Sequence, residues 1–195
     1  FGIHEYSARK LMAAATSSAA LDGRHPGAAA MMSPVRRPSK PSVAAEGPAP
    51  PPGVSGRLYT YRRSPGSLQA FESPSDHAFT RYAVYVGGLT DGLNACPYVE
   101  DLAAACEAKG WALVQPVLSS SYAGYGTGSL ARDVEELDEL VQFLAASRGA
   151  AACALIGHST GCQQSVYFMK HASPESRRLV RAVVLRLAPV LAVVE

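Results

Sequence analysis

Apolar residues in the second half of the chain form short consecutive runs separated by longer segments of mixed character. The four runs lie at residues 81–86, 111–118, 151–156 and 180–187. Runs of this length, rich in β-branched and aliphatic residues, are typical of strands that are buried on both faces of a parallel sheet. We therefore predict four such strands.

The segments between these runs show the spacing of amphipathic helices. The first begins at Pro97, ends near Gly110, and has apolar residues at positions i, i+3, i+4 and i+7, namely Val99, Leu102, Ala103 and Cys106. The second covers residues 129–146 and has one apolar face, made of Leu130, Val134, Leu137, Val141 and Leu144. We expect its acidic residues to form a solvated face, namely Asp133, Glu135, Glu136, Asp138 and Glu139. A third helix extends to about residue 172.

A hairpin is predicted ahead of these elements. Residues 57–63 and 67–72 are strand candidates, and Ser64-Pro65-Gly66 between them is a turn sequence. The strands and helices that follow alternate, which calls for a parallel sheet with right-handed crossovers and helices on both faces. The fold class is thus α/β, and residues 57–195 form one domain.

Residues 1–56 differ from the rest of the chain in composition. They are rich in Ala, Ser and Pro and show neither helical nor strand periodicity. We interpret them as a disordered tail, with an organelle transit segment as the alternative because basic residues outnumber acidic ones. A cytoplasmic location is favoured over a plastid or other organelle.

Charge and cysteine content exclude several classes of protein. A formal net charge of +2 and isolated Arg pairs do not indicate a nucleic-acid partner. No apolar run is long enough for a membrane span, so we expect a soluble protein. The four cysteines contain no C-x-x-C spacing, which argues against a zinc site or a disulfide framework. We expect no metal and no cofactor.

The sequence Gly157-His158-Ser159-Thr160-Gly161 carries the strongest chemical signal. A G-x-S-x-G pentapeptide is weak evidence by itself, but this one lies between a predicted strand and a predicted helix, as a nucleophile elbow does. Glycines two residues before and after the serine relieve steric conflict in the sharp turn. Ser159 is therefore the candidate nucleophile.

Acyl transfer also needs N–H donors for the developing oxyanion. The N–H groups of Thr160, directly after the nucleophile, and of Leu89, after Gly87-Gly88, are the candidates, because both follow strand ends at one edge of the sheet. A plainer interpretation stays open, in which Gly87-Gly88 is an ordinary turn and Ser159 is a helix N-cap.

The chain resembles a family at three places: residues 87–92 (GGLTDG), residues 119–122 (SSSY) and residues 157–163 (GHSTGCQ). These segments are similar to a little-characterised plant and fungal group of α/β-hydrolases, and the resemblance spans about residues 57–189. It implies a mostly parallel α/β-hydrolase sheet with flanking helices and an esterase-type activity on a small-molecule ester or acyl substrate. The resemblance also implies that Ser159 is the nucleophile and that the N–H groups of Leu89 and Thr160 are the oxyanion donors.

The remaining triad residues are not evident. In this fold an acid and then a histidine follow the serine along the chain, yet the residues after Ser159 include no aspartate and only His171 as histidine. His171 would lie roughly 18 Å along the helix. His158 is interpreted as a packing or orienting residue, and His77 precedes the third strand. We expect a domain truncated at its C-terminal side and a serine hydrolase that is incomplete or inactive as this chain.

Two other functions stay open as alternatives. A non-catalytic α/β-hydrolase-like binding module would retain the pocket without turnover. A dinucleotide-binding domain would use Gly124-Tyr125-Gly126-Thr127-Gly128, but G-x-G-x-x-G would need glycine where Ser129 stands. Truncation would also expose a sheet edge, through which the chain is expected to self-associate.

Overall fold

The computed structural model describes residues 53–74 and 79–186, in which six strands form one sheet. The strands are β1 (Arg57–Arg62), β2 (Leu68–Ser73), β3 (Arg81–Val86), β4 (Ala112–Val117), β5 (Ala152–His158) and β6 (Val180–Arg186). All six predicted strands are confirmed, with ends that differ by at most two residues. Most of the predicted tail, residues 1–52, lies outside the described residues.

The strand order is β1-β2-β4-β3-β5-β6. The β1–β2 hairpin is antiparallel and joins the sheet through an antiparallel pairing of β2 with β4, whereas β4, β3, β5 and β6 are parallel to one another. The chain leaves β3 towards β4 on one side and later returns to β5 on the other. This topology places a crevice at the carboxyl ends of β3 and β5, where open α/β sheets bind ligands.

Helices cover both faces of the sheet, as predicted. They are α1 (Val99–Glu107), α2 (Leu130–Arg148), α3 (Thr160–His171) and a short α4 (Pro174–Leu179) that the sequence pattern did not predict. The sheet has a hydrophobic core on each face, and alternate residues of β3 contribute to one or the other. Tyr82 and Val84 pack with α2 and α3, whereas Ala83 and Tyr85 pack with α1. Side chains of a strand alternate between faces, so β3 is buried on both.

The prediction of a solvated acidic face on α2 is wrong for two of its five residues. Glu136 is completely buried and Asp133 nearly so. Glu136 accepts hydrogen bonds from Ser119 N at 2.7 Å and from the Ser119 hydroxyl, and forms an ion pair with Arg62 at 3.3 Å. Residues far away in the sequence supply these partners, so the helical pattern could not reveal them.

β1 and β6 are the edges of the described sheet. Leu185 on β6 is half exposed. Self-association through such an edge stays a prediction. Among the described residues, no helix combines the length and the apolar character that crossing a bilayer requires.

Candidate active site

Ser159 lies in a tight turn between β5 and α3. Its backbone has φ 52° and ψ −118°, a conformation that a residue with a side chain adopts only under strain. Hydrogen bonds fix the turn on both sides: Ser159 N donates to Arg186 O at 3.0 Å, and Cys162 N donates to Ser159 O at 3.0 Å. Ser159 occupies the N-cap position of α3, as the plainer interpretation expected, but its side chain makes no capping hydrogen bond.

Two glycines allow this turn to form. A Cβ atom on Gly157 would lie 2.6 Å from Gly161 O, and a Cβ atom on Gly161 would overlap Val86 O and approach Gly87 O to 2.6 Å. The start of α3 therefore contacts the backbone of β3 directly. Side chains at these two positions would separate the elements that hold Ser159 in place.

The loop after β3 approaches the serine from the opposite side. A Cβ atom on Gly88 would lie 3.1 Å from Ser159 Cβ, so Gly88 packs against the nucleophile candidate. Asp91 holds this loop: its Oδ2 accepts a hydrogen bond from Gly88 N at 2.7 Å, and its own N–H donates to Gly88 O at 3.1 Å.

The two candidate oxyanion donors lie on the loop and on the helix that meet at Ser159. Leu89 follows Gly88 directly, and Thr160 is the first residue of α3. Within residues 53–74 and 79–186, no hydrogen bond engages the N–H group of either residue. Both groups are therefore free to bind an acceptor, although their use as oxyanion donors stays a prediction.

His158 faces a cluster of aromatic and cationic groups. Its Nδ1 lies 2.9 Å from the Tyr98 hydroxyl, which lies 3.1 Å from the Tyr85 hydroxyl, and the Arg186 guanidinium stacks 3.7 Å from the Tyr98 ring. Burial lowers the pKa of His158; Asp91 opposes this and Arg186 adds to it. A neutral imidazole anchored by Tyr98 fits the predicted orienting role.

No described side chain is in position to activate Ser159. Within residues 53–74 and 79–186, none forms a hydrogen bond with the Ser159 hydroxyl. His171 stacks on Tyr167 with ring centroids 3.9 Å apart at the far end of α3, and His77 lies outside the described residues. The acid and base of a triad are not found among the described side chains.

The glycine-rich loop at residues 124–128 is closed by its own contacts. The Thr127 hydroxyl donates to Gly124 O at 2.6 Å, and Arg132 lies against Gly128. Ser129 then caps α2 by accepting a hydrogen bond from Arg132 N. The long connection and its internal contacts differ from the tight turn of a pyrophosphate loop.

Sequence reasoning missed one cluster beside Ser159. Asp91, Cys96 and His158 each offer a ligand-type atom, and these atoms all lie within 4.8 Å of one another. The three residues come from the loop after β3, the segment before α1 and the end of β5. A search for local cysteine or histidine spacing cannot find such a group, because only the fold brings it together.

Comparison with known proteins identifies relatives of this chain. A family described as "Protein of unknown function (DUF1749)" matches residues 45–191. The chain is 31% identical over 136 residues to Esterase AN6793 of Emericella nidulans, covering 65% of this chain and 36% of the relative. The chain spans about a third of the length of the curated relatives it matches. These relatives are fungal, which confirms the fungal part of the resemblance.

Solved structures support the same fold. The siderophore hydrolase EstB from Aspergillus fumigatus is 27% identical, with a TM-score of 0.55, and the match covers 68% of this chain and 42% of that one. A protein described as an α/β-hydrolase fold protein of unknown function is 31% identical, with a TM-score of 0.59, covering 70% and 45%. The predicted α/β-hydrolase fold class is confirmed.

Proposed function

The chain belongs to the DUF1749 family, and on that premise we propose that it is an esterase-type serine hydrolase with Ser159 as its nucleophile. Thr160 N–H and Leu89 N–H bind the oxyanion, and the substrate is a small-molecule ester. Residues 57–195 belong to the hydrolase domain, and residues 1–56 form a tail. The names of Esterase AN6793 and of the siderophore hydrolase support the reaction class.

The backbone conformation of Ser159 is the observation that carries the proposal. A serine that only packed in the core would have no reason to adopt φ 52°, because strain of this kind costs about 1–3 kcal/mol. Ser159 lies where β5 meets the N-terminus of α3, and Gly88 of the loop that carries Leu89 packs against its Cβ. In the proposed site the hydroxyl and the N–H groups of Leu89 and Thr160 act together at this junction. This is the arrangement that acyl transfer requires.

Activation of the nucleophile is the second part of the proposal. Because no described side chain forms a hydrogen bond with the Ser159 hydroxyl, the general base is a group outside residues 53–74 and 79–186. Without a base in place, rate enhancement falls to what the oxyanion hole and binding supply, which is several orders of magnitude below a full triad. We therefore expect Ser159 to be phosphonylated slowly by a reactive fluorophosphonate probe, with loss of fluoride, and we expect esters to turn over slowly.

A fluorophosphonate probe tests the nucleophile directly. The intact chain is incubated with the probe, and the modified residue is identified by peptide mass spectrometry. We expect labelling at Ser159, abolished by Ser159→Ala and retained by Ser120→Ala, which removes a nearby partly buried hydroxyl. Equal labelling of wild type and Ser159→Ala would contradict the proposal. Ligand binding without any labelling would favour the non-catalytic module.

Steady-state assays test the activation step. The purified chain, not treated with the probe, is assayed with a p-nitrophenyl ester. The buffer and temperature are those in which the probe labels Ser159 to completion. We expect turnover close to the rate of the Ser159→Ala variant. Robust turnover that Ser159→Ala abolishes would support the nucleophile but would contradict the missing base.

A further inference from the structure

Asp91, Cys96 and His158 form a compact group of three different metal-ligand types. One carboxylate oxygen, one sulfur and one imidazole nitrogen lie within 4.8 Å of one another. All three residues are partly buried, so they are shielded but still reachable from solvent. No triad role accounts for Cys96, and the proposed hydrolysis does not use its thiol.

We propose that these three residues form a binding site for a divalent metal ion of the zinc type. Zinc accepts mixed oxygen, nitrogen and sulfur ligands at about 2.0–2.3 Å, and sites with three protein ligands leave a fourth position open. These bond lengths put ligand atoms about 3.5 Å apart in a tetrahedral site. The ligand atoms must therefore close by about 1 Å when an ion binds.

The neighbours of the three residues suit this role. Gly88 N–H binds Asp91 Oδ2 at 2.7 Å, which leaves Oδ1 available to a metal ion. The Tyr98 hydroxyl at His158 Nδ1 fixes the orientation of the imidazole ring. Outer contacts of this kind orient metal ligands and raise affinity.

The site does not depend on catalysis by Ser159. Ser159 lies next to the cluster, because Gly88 packs against both Ser159 Cβ and Asp91 Oδ2. The Ser159 hydroxyl is not one of the three ligand groups. A Ser159→Ala chain should therefore bind metal as the wild type does. An experiment can therefore contradict the metal site without contradicting the proposed hydrolase function, and the reverse.

Titration of the chelator-treated chain with Zn²⁺ in a calorimeter, and with Co²⁺ in a spectrophotometer, tests the proposal. We expect one ion per chain and a thiolate-to-cobalt charge-transfer band. Cys96→Ala should remove the band and weaken Zn²⁺ binding beyond the roughly 10–100-fold cost of an outer contact, whereas Tyr98→Phe should fall within that range. His171→Gln, a histidine outside the cluster, should bind as the wild type does.

Alkylation gives a second readout that needs no variant. Cys96 is the one partly exposed cysteine in the described part of the chain, where Cys106, Cys153 and Cys162 are buried. Iodoacetamide should therefore modify Cys96 selectively, and Zn²⁺ should protect it. Equal modification with and without saturating Zn²⁺, or unchanged Zn²⁺ affinity in a folded Cys96→Ala chain, would overturn the proposal.

Discussion

Two N–H groups at the Ser159 turn lack hydrogen-bond partners in the described part of the chain, whereas the buried Glu136 carboxylate of α2 is fully bonded. At the turn, the backbone is strained, and the N–H groups of Leu89 and Thr160 have no partner within the described residues. On α2, Glu136 is completely buried and both its carboxylate oxygens are bonded. A buried charge needs such partners, whereas groups that await a ligand must stay unpaired. The first region is therefore suited to chemistry and the second to stability.

The largest effect is expected on the stability side. Glu136→Ala removes the partner of the Ser119 N–H group and one of the two acids that pair with Arg62. Breaking a buried pair in this way costs about 3–5 kcal/mol of unfolding free energy. Chemical denaturation measures this, with Glu135→Ala, an exposed neighbour on the same helix, as the control.

The same variant also tests the separation of the two regions. We expect the folded fraction of Glu136→Ala to be labelled at Ser159 at nearly the wild-type rate. If Glu136→Ala is fully folded but is no longer labelled at Ser159, the α2 acids also support the chemistry.

The next largest effect is expected at the turn itself. Gly161→Ala places a methyl group against Val86 O and Gly87 O, which are backbone atoms and cannot rotate away. Overpacking of this kind costs about 3 kcal/mol and should also abolish Ser159 labelling, because α3 is displaced from β3. Thermal melts and probe labelling measure both effects. Gly66→Ala, where an added Cβ meets nothing within 4 Å, should change neither.

A smaller effect measures the strain at Ser159. Both Ser159→Ala and Ser159→Gly remove the hydroxyl, but only glycine adopts φ 52° without steric cost. Ser159→Gly should therefore be more stable than Ser159→Ala by about 1 kcal/mol. Equal unfolding free energies in urea would show that the turn is unstrained and would remove the main support for the nucleophile.

The smallest effect concerns the pH dependence of α2. Burial raises the pKa of Asp138, but the nearby Ser176 hydroxyl and the hydrogen bonds from the Ser173 N–H group and hydroxyl outweigh it, so the pKa lies below its ordinary value. Stability from this carboxylate is thus present above about pH 4 and is lost as the pH falls further. Asp138→Asn should cost about 1 kcal/mol or less at pH 7.

This difference between Asp138→Asn and wild type should shrink as the pH falls below about 4, because the wild-type carboxylate becomes protonated. Urea unfolding at several pH values measures the change. A pH-independent cost for Asp138→Asn would contradict the assignment.

Much of the fold was predictable because local patterns carry it. The run at residues 81–86 matches β3, and the four apolar positions from Val99 to Cys106 are the buried face of α1. The helix α4 was missed because its six residues are too few for a periodic pattern. Asp133 and Glu136 were misplaced because hydrophobicity alone assigns acids to the surface.

The amino-acid sequence by itself determined the alternation of strands and helices, the hairpin, and Ser159 at a strand-to-helix junction. Each depends on residues close together in the chain, whose spacing and turn chemistry act locally. Only the tertiary structure decided the strained backbone of Ser159, the packing of Gly88 against it, and the meeting of Asp91, Cys96 and His158. Those features arise where the ends of β3 and β5 converge, and close approach across a sheet edge leaves no trace in sequence spacing.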